Sequence, residues 1–417
     1  MGQQSIDEVL EEMFAPERAK AFVLRHLQPG NEATEAAIEA LRIELGLDNR
    51  DNIKRALCGF LWACQTLHLR NSDLLSFPAS KPTYSADGGG YQAFMSVRAK
   101  LLEHGYIKQE RKAAADHGRA AIYLLMKKPD LSGFDFREQP SSKASLVEIK
   151  RHKDKYGEGF DTKPLSRQDA EQYFGNERIH QEEAKVEHIL EYLRDHPLRV
   201  GNTTYRHLKR VFNKESLGHG GRLYGSYSNL PKSWRATTTI DDQPIVQVDI
   251  KASYLSVRAG LSGYSFEEGT DPYQIIPWVN PQDERTRDLA KVLVSALISM
   301  GGDKDRFPSG CKAEYSDIIK PHQTIKHFKD PIHEVFPFLL EYMDGLEVAF
   351  QESEMMMAVL NKCIEEDLPA WPLHDCIFVR HGDAGKAVEI IKSEFSYLLG
   401  FRPTVTTKDH KGKEEII

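Results

Sequence analysis

No uninterrupted apolar run of about eighteen residues occurs in the 417-residue chain, so no helical membrane span is expected. C-x-x-C pairs are missing as well. Cys58, Cys64, Cys311, Cys363 and Cys376 are scattered and odd in number. That argues against a disulfide framework or a structural zinc site and for a reducing compartment. Positive charge is not in excess: 55 Lys and Arg against 62 Asp and Glu give a formal net charge of −7. Chain-wide charge gives no support for nucleic-acid binding, so any basic surface has to be local. The first residues are polar and acidic, without an apolar signal-peptide core. Ile6 stands where N-myristoylation needs Ser or Thr. A cytoplasmic protein is expected.

What is present fits a globular protein of two or three domains, with 40% hydrophobic and 28% charged residues. Residues 1–75 read as a helical N-terminal region, with apolar positions at helical spacing in Ala33–Leu47 and Ile53–Leu69. Residues 76–136 read as a winged-helix-like module. An amphipathic helix from Tyr91 ends at Gly105, a strand follows at Tyr106–Arg111, Asp116-His-Gly-Arg turns, and Ala120–Met126 returns. Such a helix and wing contact duplex DNA in some proteins and serve as plain structure in others. Residues 137–170 read as a linker, its basic run Lys150–Lys155 being either a phosphate contact or a solvated connector.

Residues 171–417 are denser in apolar segments. Glu182–Arg194 reads as a helix, and Thr237–Ile240 and Ile245–Ile250 as strands around the turn Asp241–Pro244. Ala252–Gly260, Arg285–Met300 and Val348–Glu365 read as helices. Trp371–Arg380 reads as a strand broken at His374-Asp375. Interleaved helices and hairpins make the expected class α+β.

Two acids stand out. Asp249 sits between a strand and a helix, where an Asp commonly caps the helix. Asp375 sits between apolar residues of a hairpin, where it is either an exposed turn tip or a carboxylate that needs a cation. Together, over residues 210–385, they resemble the A and C motifs of the family A polymerases, the DNA polymerase I-like and phage-type single-subunit RNA polymerase group. Three further segments stand in matching order. Gly220-Gly-Arg222-Leu-Tyr224 resembles the segment that touches the primer–template hybrid. Arg287-Asp-Leu-Ala-Lys291 resembles the fingers helix, its two cations one turn apart on one face. Gln351-Glu-Ser-Glu354 resembles the Gln-bearing helix before the C motif, while Met355–Met357 beside it read as core.

The resemblance implies a right-hand palm with fingers at 171–417. It implies two Mg²⁺ (or Mn²⁺) ions on Asp249, Asp375 and the Ile250 carbonyl. Arg287 and Lys291 would then hold a nucleoside triphosphate, and Arg222, Gln351 and His374 a primer strand. Three departures stand beside it. Cys376 follows the C-motif Asp where the bacterial enzymes often have Glu. Ser299 stands eight residues after Lys291 where an aromatic is usual. Tyr254 stands five after Asp249, where a bulky side chain clashes with a ribose 2′-hydroxyl. The expected activity is a minimal DNA polymerase of mobile-element or phage type, working on a primer–template. A primase or small RNA polymerase, a template-independent nucleotide-adding enzyme and a non-catalytic DNA-binding factor are the alternatives.

Overall fold

The computed structural model describes residues 20–21, 27–69, 73–77, 91–111, 121–138, 145–151, 164–229, 236–299 and 305–416. The chain is mixed α and β and divides into two units. One holds residues up to 144 together with 199–207; the other holds 145–198 and 208–417.

In the first unit, helices Glu32–Glu44, Asp51–Leu69 and Tyr91–Glu103 accompany a sheet of Ile107–Arg111, Ala121–Leu125, Leu74–Phe77 and Lys20–Ala21. Asn31 starts the first helix by accepting from the Thr34 N–H at 2.9 Å. The second helix is apolar almost all round and becomes the centre of one core. That core runs from Ile38 through Phe60, Phe94 and Tyr123 to Phe136. Residues 1–75 and 76–136 therefore do not form separate domains. The helix and two strands expected at 91–126 are present, while the turn Asp116–Arg119 lies outside the described residues.

The linker reading of 137–170 is corrected. Phe136–Glu138 pairs with Leu27–Pro29 and with Thr203–Tyr205 in the first unit. Val147–Ile149 is a strand of the second unit. Both strands are three residues long, too short for an alternating pattern to show against their polar flanks.

In the second unit, β1 (Val147–Ile149), α1 (Arg167–Phe174), α2 (Asn176–Asp195), β2 (Lys209–Asn213) and β3 (Ser216–Tyr224) come first. They form a three-stranded sheet in the order β3-β2-β1, with the two helices beside it. Next come β4 (Thr238–Ile240), β5 (Gln243–Ile250), α3 (Ser253–Leu261), α4 (Glu284–Ser299), α5 (Lys326–Val335) and α6 (Gly345–Glu365). The chain continues with β6 (Trp371–Leu373), β7 (Cys376–Arg380), α7 (Ala384–Leu399), β8 (Val405–Asp409) and β9 (Glu414–Ile416).

Strand β5 is the spine of the second sheet. It pairs antiparallel with β7 on one side; on the other, β4 joins it at its start and β8 further along. Its Ile245, Val246, Val248 and Ile250 are buried. The β4–β5 turn holds Asp241 and Asp242 at φ +51° and +59°. That is the two-residue geometry whose twist matches an antiparallel hairpin, and Asp tolerates it. Helix α6 runs against β3, α3 and α7, burying Val348, Met355, Met356 and Met357.

The packing leaves no room for a side chain at Gly220, against Asn213 of β2, or at Gly221, against α6. Both have positive φ, and a Cβ on Gly221 would stand 2.8 Å from the Ser353 hydroxyl. The fully buried Arg210 fills the adjacent space. It donates to the Gly221 carbonyl at 2.7 Å and pairs with Glu182 and Glu354.

Candidate active site

Strand β5 delivers Asp249 at its penultimate position, with its Cα opposite Cys376 of β7 and Thr406 of β8. The helix that follows is not capped by it. The N-cap of α3 is Ala252, at φ +54°, and no side chain accepts from the first turn. The capping alternative for Asp249 is thereby removed. On β7's side, His374 and Asp375 form the two-residue turn between β6 and β7, with His374 at φ +59°. The Ile250 N–H reaches the Asp375 carbonyl at 3.5 Å, which ties the two motifs together through main chain.

Asp249, Ile250 and Asp375 line one open cleft of about 420 Å³, within the size range of small-molecule sites. Tyr254, Arg287 and Lys291 line it too. Six of the nine residues singled out in the sequence thus share one cavity, drawn from β5, α3, α4 and the β6–β7 turn. Lys291 is exposed and has no ion pair among the described residues. Asp271, Glu284 and Glu414 add carboxylates to the lining and Lys251 adds a cation. Five carboxylates against three cations leave the cleft net negative.

The other three stand differently. Arg222 on β3 points both Nε and Nη2 at the Glu352 carboxylate, the Nε bond being 2.8 Å. Its guanidinium lies 5.8 Å from the Tyr254 ring centre. His374 packs edge-on to Tyr224 at 5.2 Å, and its Nδ1 has no hydrogen-bond partner among the described residues. Burial pushes the His374 pKa down, the Arg222 cation pushes it further, and Asp375 opposes both. Gln351 is half-buried on α6 with no hydrogen bond among the described residues. Its neighbour Glu352 faces the cluster instead, a turn of about 100° away on the helix.

Sequence reasoning missed Glu352, Asp271 and Lys251. Glu352 is 1% exposed and accepts from the Ser253 hydroxyl at 2.7 Å as well as from Arg222. Burial pushes its carboxyl pKa up, Arg222 pulls it down, and Asp375 pushes it up again. A signal existed. Glu352 falls on the apolar stripe Val348, Met355, Met356, Val359, where an acid has no reason to be unless paired. Asp271 had none, because Asp271-Pro272 reads as an ordinary helix start. It is one, the Tyr273 N–H donating to it at 3.1 Å.

Tyr254 donates its hydroxyl to the Gly345 carbonyl at the start of α6, and burial raises its pKa to about 12. A Cβ on Gly345 would meet the Ser299 Cα at 2.7 Å and the Tyr254 hydroxyl at 2.9 Å. The last turn of α4, the first of α6 and the Tyr254 ring therefore meet at one point. Met300 and the Gly301-Gly302 pair beyond it lie outside the described residues.

No family model and no curated protein matches the chain. Among solved structures it is similar to the POL domain of Pol1 from M. smegmatis in complex with DNA primer-template and dNTP. Identity is 11% and the TM-score 0.34, over 66% of this chain and 61% of that one. This chain thus spans less than two thirds of that structure's length, and so loose a likeness fixes neither family nor activity.

Among the described residues no helix is long and apolar enough to cross a membrane. None of their His, Cys, Asp and Glu side chains form a cluster of three or more suited to a metal. The cleft is lined by the two carboxylates of the motifs. That set fits Mg²⁺, which keeps several waters and takes substrate phosphates rather than filling its shell with protein.

Proposed function

We propose that the chain is a template-directed nucleotidyltransferase, a minimal DNA polymerase with a family A-like palm and fingers over residues 171–417. One observation carries this reading. Asp249 and Asp375, 126 residues apart in sequence, line one cleft with Arg287 and Lys291.

The electrostatics support it. The five carboxylates of the lining outnumber its three cations, so divalent cations held on carboxylates would add to the counter-charge that Arg287 and Lys291 offer a triphosphate. Divalent ions would supply that charge when bound and would activate a 3′-hydroxyl. Asp249, Asp375 and the Ile250 carbonyl are the groups that would hold them. Arg287, on the cleft face of α4, offers a planar fork to phosphate oxygens, and Lys291 one turn on offers a mobile point charge. The N-terminus of α3, left without a side-chain cap, adds positive potential at the same place. Arg222 and His374 flank the Asp375 side, where the primer end would lie, and the residues act mainly by positioning and charge stabilisation.

Tyr254 is assigned to sugar selection. Its hydroxyl is held by Gly345 and its ring lines the cleft, so it is a fixed wall and not a mobile side chain. Extension of a labelled primer by dNTPs, requiring both template and a 3′-hydroxyl, is the expected result. Incorporation that proceeds equally without template would contradict the proposal. Equal use of NTPs would contradict the Tyr254 assignment alone.

A further inference from the structure

Lys251 and Asp271 are charged residues of the cleft that the proposed function leaves without a role. Lys251 follows Ile250, its main-chain N–H fixed by the Thr404 carbonyl at 2.9 Å. The side chain is 14% exposed and its ammonium lies 3.6 Å from the nearest carboxylate oxygen, on Asp271. No hydrogen bond engages that ammonium among the described residues. An ammonium that lines the cleft, with three donors and one carboxylate oxygen at ion-pair distance, can take a further anion.

Asp271 is more deeply set, with 3% of its side chain exposed. One of its oxygens accepts the Tyr273 N–H; the other takes the Arg287 Nε and faces Lys251. A single buried anion therefore gathers two cations and neutralises only one. The surplus charge faces the cleft, where Lys291 adds another. Because Arg287 gives its Nε to Asp271 and its guanidinium is set 5.4 Å from the Tyr273 ring centre, its fork is pre-oriented, with neither Nη group hydrogen-bonded among the described residues.

We infer that Lys251 is a third cation of an oxyanion subsite for condensed phosphate, and that Asp271 is the positioning residue that presents Lys251 and Arg287 as a pair. The identity of the phosphate as a nucleotide's triphosphate rests on the proposed function; the oxyanion chemistry does not.

The test measures binding of inorganic triphosphate in Mg²⁺ by calorimetry to the full chain. Wild type should bind, and Lys251→Met should weaken binding roughly tenfold, the scale of one charge contact. Asp271→Asn should weaken it by a similar factor, and should cost nothing further when added to a Lys251→Met/Arg287→Met double variant. Under turnover, Lys251→Met should raise the nucleotide KM while leaving kcat within a factor of a few. Absence of triphosphate binding by wild type, or unchanged affinity in Lys251→Met, would overturn the inference. So would an Asp271→Asn loss of equal size in the double variant, which would mark Asp271 as merely structural. Should Asp271→Asn fail to fold, Lys251→Met alone decides. Lys251-dependent triphosphate binding without primer extension would leave this inference standing and remove the polymerase reading.

Discussion

Two buried carboxylates serve the cleft region of the second unit, and they are used in opposite ways. Glu352 is closed off, with Arg222 on one oxygen through two donors and Ser253 on the other. Asp271 is shared between Arg287 and Lys251 and leaves cationic donors over. A saturated carboxylate can hold β3, α3 and α6 in place and has itself nothing left to give a ligand. A shared anion holds its cations in position and leaves them able to receive one. Sequence alone shows each as an acid in a helical context; the partners decide which is scaffold and which is site.

Breaking the saturated pair should have the largest effect on stability. Glu352→Ala leaves the Arg222 guanidinium, 28% exposed, without the carboxylate that its Nε and Nη2 donate to. A loss of about 3 kcal/mol is expected in urea unfolding. A loss under about 1 kcal/mol would show that Arg222 finds water readily and that the pair is not scaffold. Gly221→Ala is the next test of that wall. Its φ of +71° and the 2.8 Å approach to Ser353 predict destabilisation of about 2 kcal/mol by the same measurement.

On the ligand side, Tyr254→Ala should leave the fold largely intact and reduce discrimination against NTPs. A change of roughly tenfold in the ratio of kcat/KM for dNTP to NTP is expected, about 1.4 kcal/mol. An unchanged ratio would move sugar selection elsewhere in the cleft. Smallest of all should be any response to thiol reagents. All five cysteines are buried, and burial raises Cys58 and Cys363 to about 12. Alkylation of the native protein at neutral pH should be negligible and leave activity unchanged.

Much of the second unit was legible because its patterns are long. The spine strand alternates from Val246 to Ile250, the turn acids Asp241-Asp242 announce the hairpin, and α4 and α6 run 16 and 21 residues. Asp375 stood out because it interrupts an apolar hairpin, and Asp249 because it stands at a strand–helix junction in matching motif order. The connector region was misread because its strands have three residues each. The single core joining residues 1–75 to 76–136 was invisible because contact between a helix at 51–69 and a strand at 121–125 leaves no local trace. Gln351 was chosen over Glu352 by motif order, whereas the apolar stripe of α6 pointed to the acid. Lys251 and Asp271 needed the fold, since they lie twenty residues apart and meet beside Arg287 of α4.

The central claim is that Asp249 and Asp375 jointly support metal-dependent nucleotidyl transfer. The direct measurement is single-turnover primer extension with dNTPs in Mg²⁺, comparing wild type with Asp249→Asn and Asp375→Asn, each shown to be folded. Wild type should extend, stop when Mg²⁺ is chelated, and lose roughly 10³-fold or more in rate with either substitution. Extension by either variant at the wild-type rate would contradict the account.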